Sequence, residues 1–122
     1  MSVSQCGDPP EVPREILDKY MKPNKSREFV FKDTDRRTIL AKGVVEDVVL
    51  VYHDDDPREY WKGVEKLRFN DGRVEFRFMY WARRKGQTNA KWTWGQFNVC
   101  LPQDLLIRLL DRVKEKGWIK IP

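Results

Sequence analysis

The stretch Lys66–Val99, KLRFNDGRVEFRFMYWARRKGQTNAKWTWGQFNV, decides the fold. Strict alternation of apolar and polar positions marks a half-buried strand. Val74, Phe76, Phe78, Tyr80 and Ala82 fall on one side of it; Arg73, Glu75, Arg77, Met79, Trp81 and Arg83 fall on the other. Asp71-Gly72 signals a two-residue hairpin, since a type I′ turn needs positive φ at both central residues. That turn pairs Phe69 with Val74 and Leu67 with Phe76, so the apolar residues share a face. A three-residue loop would set Leu67 against Glu75 instead, because a slip of one residue inverts every side chain. A polar connection over 84–89 then pairs Trp81 with Trp92, Met79 with Trp94, Phe78 with Gly95 and Phe76 with Phe97. The result is a three-stranded antiparallel meander with two unlike faces.

Face one carries Leu67, Phe69, Val74, Phe76, Phe78, Tyr80, Phe97 and Val99, and reads as core. Face two carries Lys62, Lys66, Arg68, Arg73, Arg77, Arg83, Met79, Trp81, Trp92, Trp94, Gln96 and Asn98. It mixes cations with large aromatic rings.

Outward from the meander, residues 1–12 read as a flexible N-terminal tail, obstructed by Pro9 and Pro10. A helix opens with Pro13 near its first position, where the missing N–H costs nothing. Ile16, Leu17, Tyr20 and Met21 form its apolar stripe, and it runs to about Lys22 before Pro23. Glu28–Lys32 and Thr38–Lys42 read as short strands, with Gly43 as a bulge or bend. The nearly continuous aliphatic run Val44–Val51 suggests a strand buried on both faces, interrupted by a turn at Glu46-Asp47. Asp56-Pro57-Arg58-Glu59 fits a helix N-cap, a proline at the first turn and a capping glutamate. Pro102 opens the last helix, in which Leu105, Leu106, Leu109, Leu110 and Val113 form a wide apolar face. Gly117 is its C′ residue, with Trp118 packing back. Ile119 and Ile121 continue over the core. The expected fold is α+β: a single domain over 13–122, with a largely antiparallel β-sheet of about five strands. An N-terminal helix and a C-terminal helix flank it, the latter packed on face one.

At 122 residues, 35% of them charged, the chain suits one soluble domain, and the cytoplasm is the expected location. No apolar run approaches the length of a membrane span, and the start lacks the pattern of a signal peptide. Two cysteines, Cys6 and Cys100, make no disulfide framework. Net charge is +5, unevenly spread: residues 73–98 carry six cations and one anion, residues 43–61 one cation and six anions. The aromatic meander is therefore the basic part of the protein.

No catalytic motif stands out, and no cofactor or metal site is expected. The lone histidine, His53, has no nucleophile elbow near it, and there is no glycine-rich phosphate loop. His53-Asp54-Asp55-Asp56 is a nominal metal cluster, but adjacent residues rarely aim at one ion. A metal-dependent hydrolase using Asp55, Asp56 and Glu75 with Arg77 is the least favoured reading, set against solvated charges and cross-strand pairs such as Arg68 with Glu75. Nucleic acid is the better partner. Single strands are held by cations along the backbone and by aromatic rings on which bases stack. Lys66, Arg77, Trp81, Arg83, Arg84, Lys85, Lys91, Trp92 and Trp94 supply both. The order of a meander followed by a C-terminal helix resembles single-strand-binding sheet domains of transcriptional coactivators, and no residue role is carried over on that ground. The competing reading is that the N-terminal helix or a second subunit covers the tryptophans, making the same face a packed interface of a protein-interaction or homodimer module, with Arg and Lys stems beside the rings. The leading expectation is a small non-enzymatic domain that binds single-stranded nucleic acid.

Overall fold

The computed structural model describes residues 3–6, 10–21, 28–87, 89–96 and 99–119. Lys22, Pro23, Phe97, Asn98 and Ile121, placed by the sequence reading, lie outside the described residues. The elements run β1 (Val3–Cys6), α1 (Arg14–Met21), β2 (Glu28–Lys32), β3 (Ile39–Asp55), β4 (Arg58–Phe69), β5 (Val74–Arg84), β6 (Thr93–Gly95) and α2 (Gln103–Glu115). They form a single small domain, mostly strand, whose mixed sheet has the order β1-β3-β4-β5-β6, with β2 also on β3. No helix among the described residues is long and apolar enough to cross a membrane.

The long strand β3 organises the sheet. Val48, Val49, Leu50 and Val51 have essentially no exposed surface, as expected of an aliphatic run buried on both faces. One edge of β3 pairs with β4. The other edge is shared: β2 lies antiparallel beside Ile39–Val44, and β1 lies parallel beside Val48–Val51. Glu46-Asp47 is not a turn. The strand continues through it by a bulge between Val45 and Asp47, which absorbs one residue and bends the ladder. Val3–Cys6, assigned by sequence to the tail, instead form a sixth strand. Gln5 ties the following segment back: its Nε2 donates to the Pro10 carbonyl (2.7 Å), and its Oε1 accepts from the Val12 N–H (3.0 Å).

The capped helical turn expected at 56–61 is also absent. Asp56 and Pro57 form the tight turn between β3 and β4, and Tyr52 and His53 lie across from Trp61 and Tyr60. Asp54 opposite Glu59 is a like-charge pair, normally unfavourable in a hairpin. Lys85 and Arg83 neutralise it, at 2.6 Å from Asp54 and 3.1 Å from Glu59.

The main correction concerns the register of β4 and β5. The connection is a three-residue loop, Asn70-Asp71-Gly72, with Gly72 at φ +94°. One positive φ is what a turn closed by a glycine bulge needs, whereas a type I′ turn needs two. Phe69 N–H donates to Arg73 O (2.9 Å), and the Asp71 carboxylate accepts from the Arg73 N–H (3.0 Å). Leu67 consequently faces Glu75, Val64 faces Phe78, and Trp61 faces Trp81. Every side chain of β5 has changed sides relative to expectation. Leu67 and Phe69 are buried together with Met79, Trp81 and Trp92, while Phe76 and Phe78 are exposed. Cross-strand polarity explains the outcome. The other side of β4 carries Lys62, Lys66 and Arg68, so its Leu67 side is the one to bury. On β5 both sides are apolar enough to be either.

The second connection slips by two residues. Trp81 pairs with Trp94, and Tyr80 with Gly95. Gly95 leaves room for a ring, as expected, but the ring is Tyr80: a Cβ there would lie 2.4 Å from it.

Two apolar clusters result. On one side of the sheet, Ile16 and Tyr20 of α1 join Phe29, Val45, Val48, Leu50, Trp61, Leu67, Phe69, Met79, Trp81 and Trp92. On the other, Leu109 and Val113 of α2 pack with Val49, Val51 and Val64. Helix α2 therefore sits over β3, not on the phenylalanines of β5. Phe76 is met from the chain after α2, where Trp118 stacks on it at 5.6 Å.

A polar network lies inside the first cluster. Glu65 is buried and accepts from Tyr20 Oη (2.8 Å) and from Arg77 (Nη2 at 2.7 Å), while Trp81 Nε1 donates to Tyr20 Oη (2.9 Å). Burial, then the Glu65 charge, pushes the Tyr20 phenol well above its usual value.

Two stability outcomes follow from this packing. Tyr20→Phe strands the Trp81 N–H and removes a donor from Glu65, and should cost about 1–3 kcal/mol in urea unfolding. Because the folded phenol holds its proton more tightly, its contribution is fully present below the unfolded pKa of about 10 and shrinks above it. The gap between wild type and Tyr20→Phe should therefore narrow above that pH; a gap that widens would refute the network's role. Leu109→Ala should cost about 2–5 kcal/mol, and a loss below about 0.5 kcal/mol would show that α2 is not anchored there.

Candidate functional site

The nine residues expected to bind nucleic acid do not form one surface. Lys66 lies on the side of β4 that faces α2, across from Phe76, and pairs with Glu46 at 3.7 Å. Arg77, Trp81, Arg83 and Trp94 lie on the opposite side. Trp81 is only 8% exposed and Trp92 only 5%, so neither ring offers a face to a base. Tyr20 of helix α1 packs edge-on against Trp81, and the Arg83 guanidinium lies over Trp92. Arg77 and Arg83 are spent in the same packing. Arg77 holds Glu65 and stacks on Trp94, with its guanidinium carbon 4.6 Å from the ring centre; Arg83 holds Glu59 and stacks on Trp92 at 4.5 Å. Lys85 is engaged by Asp54, and that hydrogen bond raises its pKa.

Arg84, Lys91 and Trp94 remain, and the fold brings them to one place. They line a cavity of about 350 Å³ beside β6 together with Arg58, Tyr80 and Thr93. The register explains part of the grouping. Arg58 and Arg84 are direct cross-strand partners, and Tyr80, Ala82 and Thr93 share their side of the sheet, while Arg83 and Trp94 line the cavity from the opposite side. Among the described residues, Arg58, Arg84 and Lys91 make no ion pair, and all three are exposed. Like charges directly opposite in a sheet repel and raise the local positive potential. On its other side Arg58 faces Asp55 across the β3–β4 hairpin, which offsets part of that field. Among the described residues, none that lines the cavity is acidic.

Sequence reasoning missed Arg58 and Tyr80. Arg58 was placed in a helix cap, and Tyr80 in the core by the inverted register. The overlooked signal was the turn at Asp56-Pro57: read as a hairpin, it sets Arg58 beside the next strand.

The acidic stretch gives no comparable site. Strand alternation sends Asp54 to one side and His53 and Asp55 to the other. No group of three His, Cys, Asp or Glu residues among the described residues is placed to hold a metal ion. Burial, then the nearby Lys62 charge, lowers the pKa of His53. Glu75 on β5, named with Asp55 and Asp56 for hydrolysis, is instead held by Arg73 (2.9 Å), and Arg68 pairs with Glu46. No protein-family model, no curated protein and no solved structure matches this chain.

Proposed function

We propose that this chain is a small non-enzymatic binding domain that holds single-stranded nucleic acid at the cationic cavity beside β6. The observation that carries the reading is the convergence of Arg58, Arg84 and Lys91, none of them in an ion pair, around the aromatic residues Tyr80 and Trp94. Cations without acidic partners suit phosphate oxygens, and arginine presents a planar fork that matches them. An aromatic lining suits a base that has left the stack. A cavity near 350 Å³ is in the range that takes a small ligand such as one nucleotide, which favours a flexible strand over a stiff duplex. The footprint is narrower than a whole sheet face: it draws on Arg84, Lys91 and Trp94 from the basic meander and adds Arg58 and Tyr80.

Fluorescence anisotropy with labelled single-stranded DNA and RNA tests this. Affinity should fall with salt at a slope of about −0.7 per phosphate contact. The double substitution Arg84→Ala, Lys91→Ala should weaken binding by about tenfold or more while leaving the melting temperature unchanged, since it removes phosphate contacts and no core packing. Any quenching of tryptophan emission should vanish in Trp94→Phe, because Trp81 and Trp92 are buried. No binding at low salt, or equal affinity in the double variant, would sink the proposal.

A further inference from the structure

We propose that the cationic cavity takes the end of a strand, holding a terminal phosphate monoester in preference to an internal phosphodiester. The inference rests on the single-strand reading above and narrows it to a phosphorylated terminus.

Charge is the first argument. Arg58, Arg84 and Lys91 line the cavity and make no ion pair among the described residues. Asp55, opposite Arg58 across the β3–β4 hairpin, offsets one of them and leaves two positive charges over. Arg83 also lines the cavity, but Glu59 takes its charge at 3.1 Å. An internal phosphodiester brings one negative charge. A terminal monoester loses its second proton near pH 6 and brings close to two at pH 7. The monoester is the better match.

Donor geometry is the second. The bonds from Phe69 N–H to Arg73 O and from Lys85 N–H to Pro57 O fix which pairs of the β4–β5 ladder are hydrogen-bonded. Bonded and non-bonded pairs alternate, so Arg58 and Arg84 form a non-bonded pair, the kind in which Cα atoms approach to about 4.5 Å and side chains lie closest. Two guanidinium groups therefore start from adjacent points on one side of the sheet, each a planar fork suited to phosphate. Like charges set this close repel, and an anion between them relieves the repulsion. A monoester offers three terminal oxygens to the two forks and the Lys91 ammonium, where a diester offers two.

Size is the third. A volume of about 350 Å³ suits one nucleotide. A chain end enters such a space with a single neighbour outside, whereas an internal nucleotide must bring the strand in and take it out again.

The sign of the pH dependence separates ligand from protein. Histidine is the side chain that ordinarily changes charge between pH 5 and 8, and the described lining holds none. Thr88, Phe97 and Asn98, which flank lining residues in sequence, carry no ionisable group. Around Arg58, any proton gained in acid by His53, Asp54, Asp55, Glu59 or Lys62 makes the surroundings more positive and favours an anion. A proton gained by the monoester does the reverse.

Fluorescence anisotropy with four strands of one sequence, labelled on an internal base, tests this. One has hydroxyl groups at both ends, one a 5′-phosphate, one a 3′-phosphate, and one is hydroxyl-ended but a nucleotide longer. Near neutral pH a phosphorylated end should tighten binding by about tenfold or more, and the end with the larger gain is the one recognised. The longer strand adds its charge internally and should not reproduce the gain. The advantage over the hydroxyl-ended strand should shrink as pH falls through about 6. Arg58→Gln should abolish the advantage with the melting temperature unchanged; Arg37→Gln, at an exposed position between β2 and β3, should retain it. Equal affinity for phosphorylated and hydroxyl-ended strands, a gain matched by the longer strand, or an advantage that persists in acid overturns the terminal-phosphate inference and leaves strand binding standing. Failure of every strand to bind overturns both.

Discussion

The parity set by the turn at Asn70–Gly72 governs most of this structure. A strand has only two faces, so one residue more or less in the connection exchanges them completely. With three residues in the loop, Met79 and Trp81 turn inward beside Leu67 and Phe69, and Phe76 and Phe78 turn outward. Helix α1 then has a tryptophan-rich surface to cover, and α2 is left to pack on β3. The cationic cavity descends from the same choice, because the register that sets Trp61 against Trp81 also sets Arg58 against Arg84.

The inward face has to accommodate Glu65, which the register places beneath α1. A buried carboxylate left alone would be severely destabilising. It is tolerated because Arg77, Tyr20 and, behind Tyr20, Trp81 complete its hydrogen bonding. Such a cluster contributes little net stability compared with an apolar substitute, but breaking any member leaves the others unpaired. It also discriminates between registers: a β5 shifted by one residue would send Arg77 to the other face and leave Glu65 without its cation. Turn geometry and buried charge therefore reinforce one pairing.

The cavity beside β6 is small, cationic and edged by aromatic residues. Arg83 also lines it while paired with Glu59 and held over Trp92, and Arg77 is paired with Glu65 and held over Trp94.

From the sequence alone, local chemistry determined the elements whose signals are strong. The β2 strand, the double burial of Val48–Val51, the helix after Pro102 and the apolar stripe of α1 were legible because periodicity and proline placement act within a few residues. The need for a glycine against a ring was also legible, though not which ring. Tertiary structure alone decided the rest. β5 carries apolar residues on both sides, so its pattern is compatible with either face, and only the loop geometry and the cations on β4 choose between them. Val3–Cys6 becomes a strand because β3 has an edge to offer it, a fact invisible in a short polar segment. The candidate site shows the same limit. Counting cations and tryptophans located the right region, but which of them stay free depends on the acidic partners that the fold brings within reach. Glu59 and Glu65 took two arginines and Asp54 a lysine, leaving Arg84 and Lys91 to meet an arginine from a different hairpin.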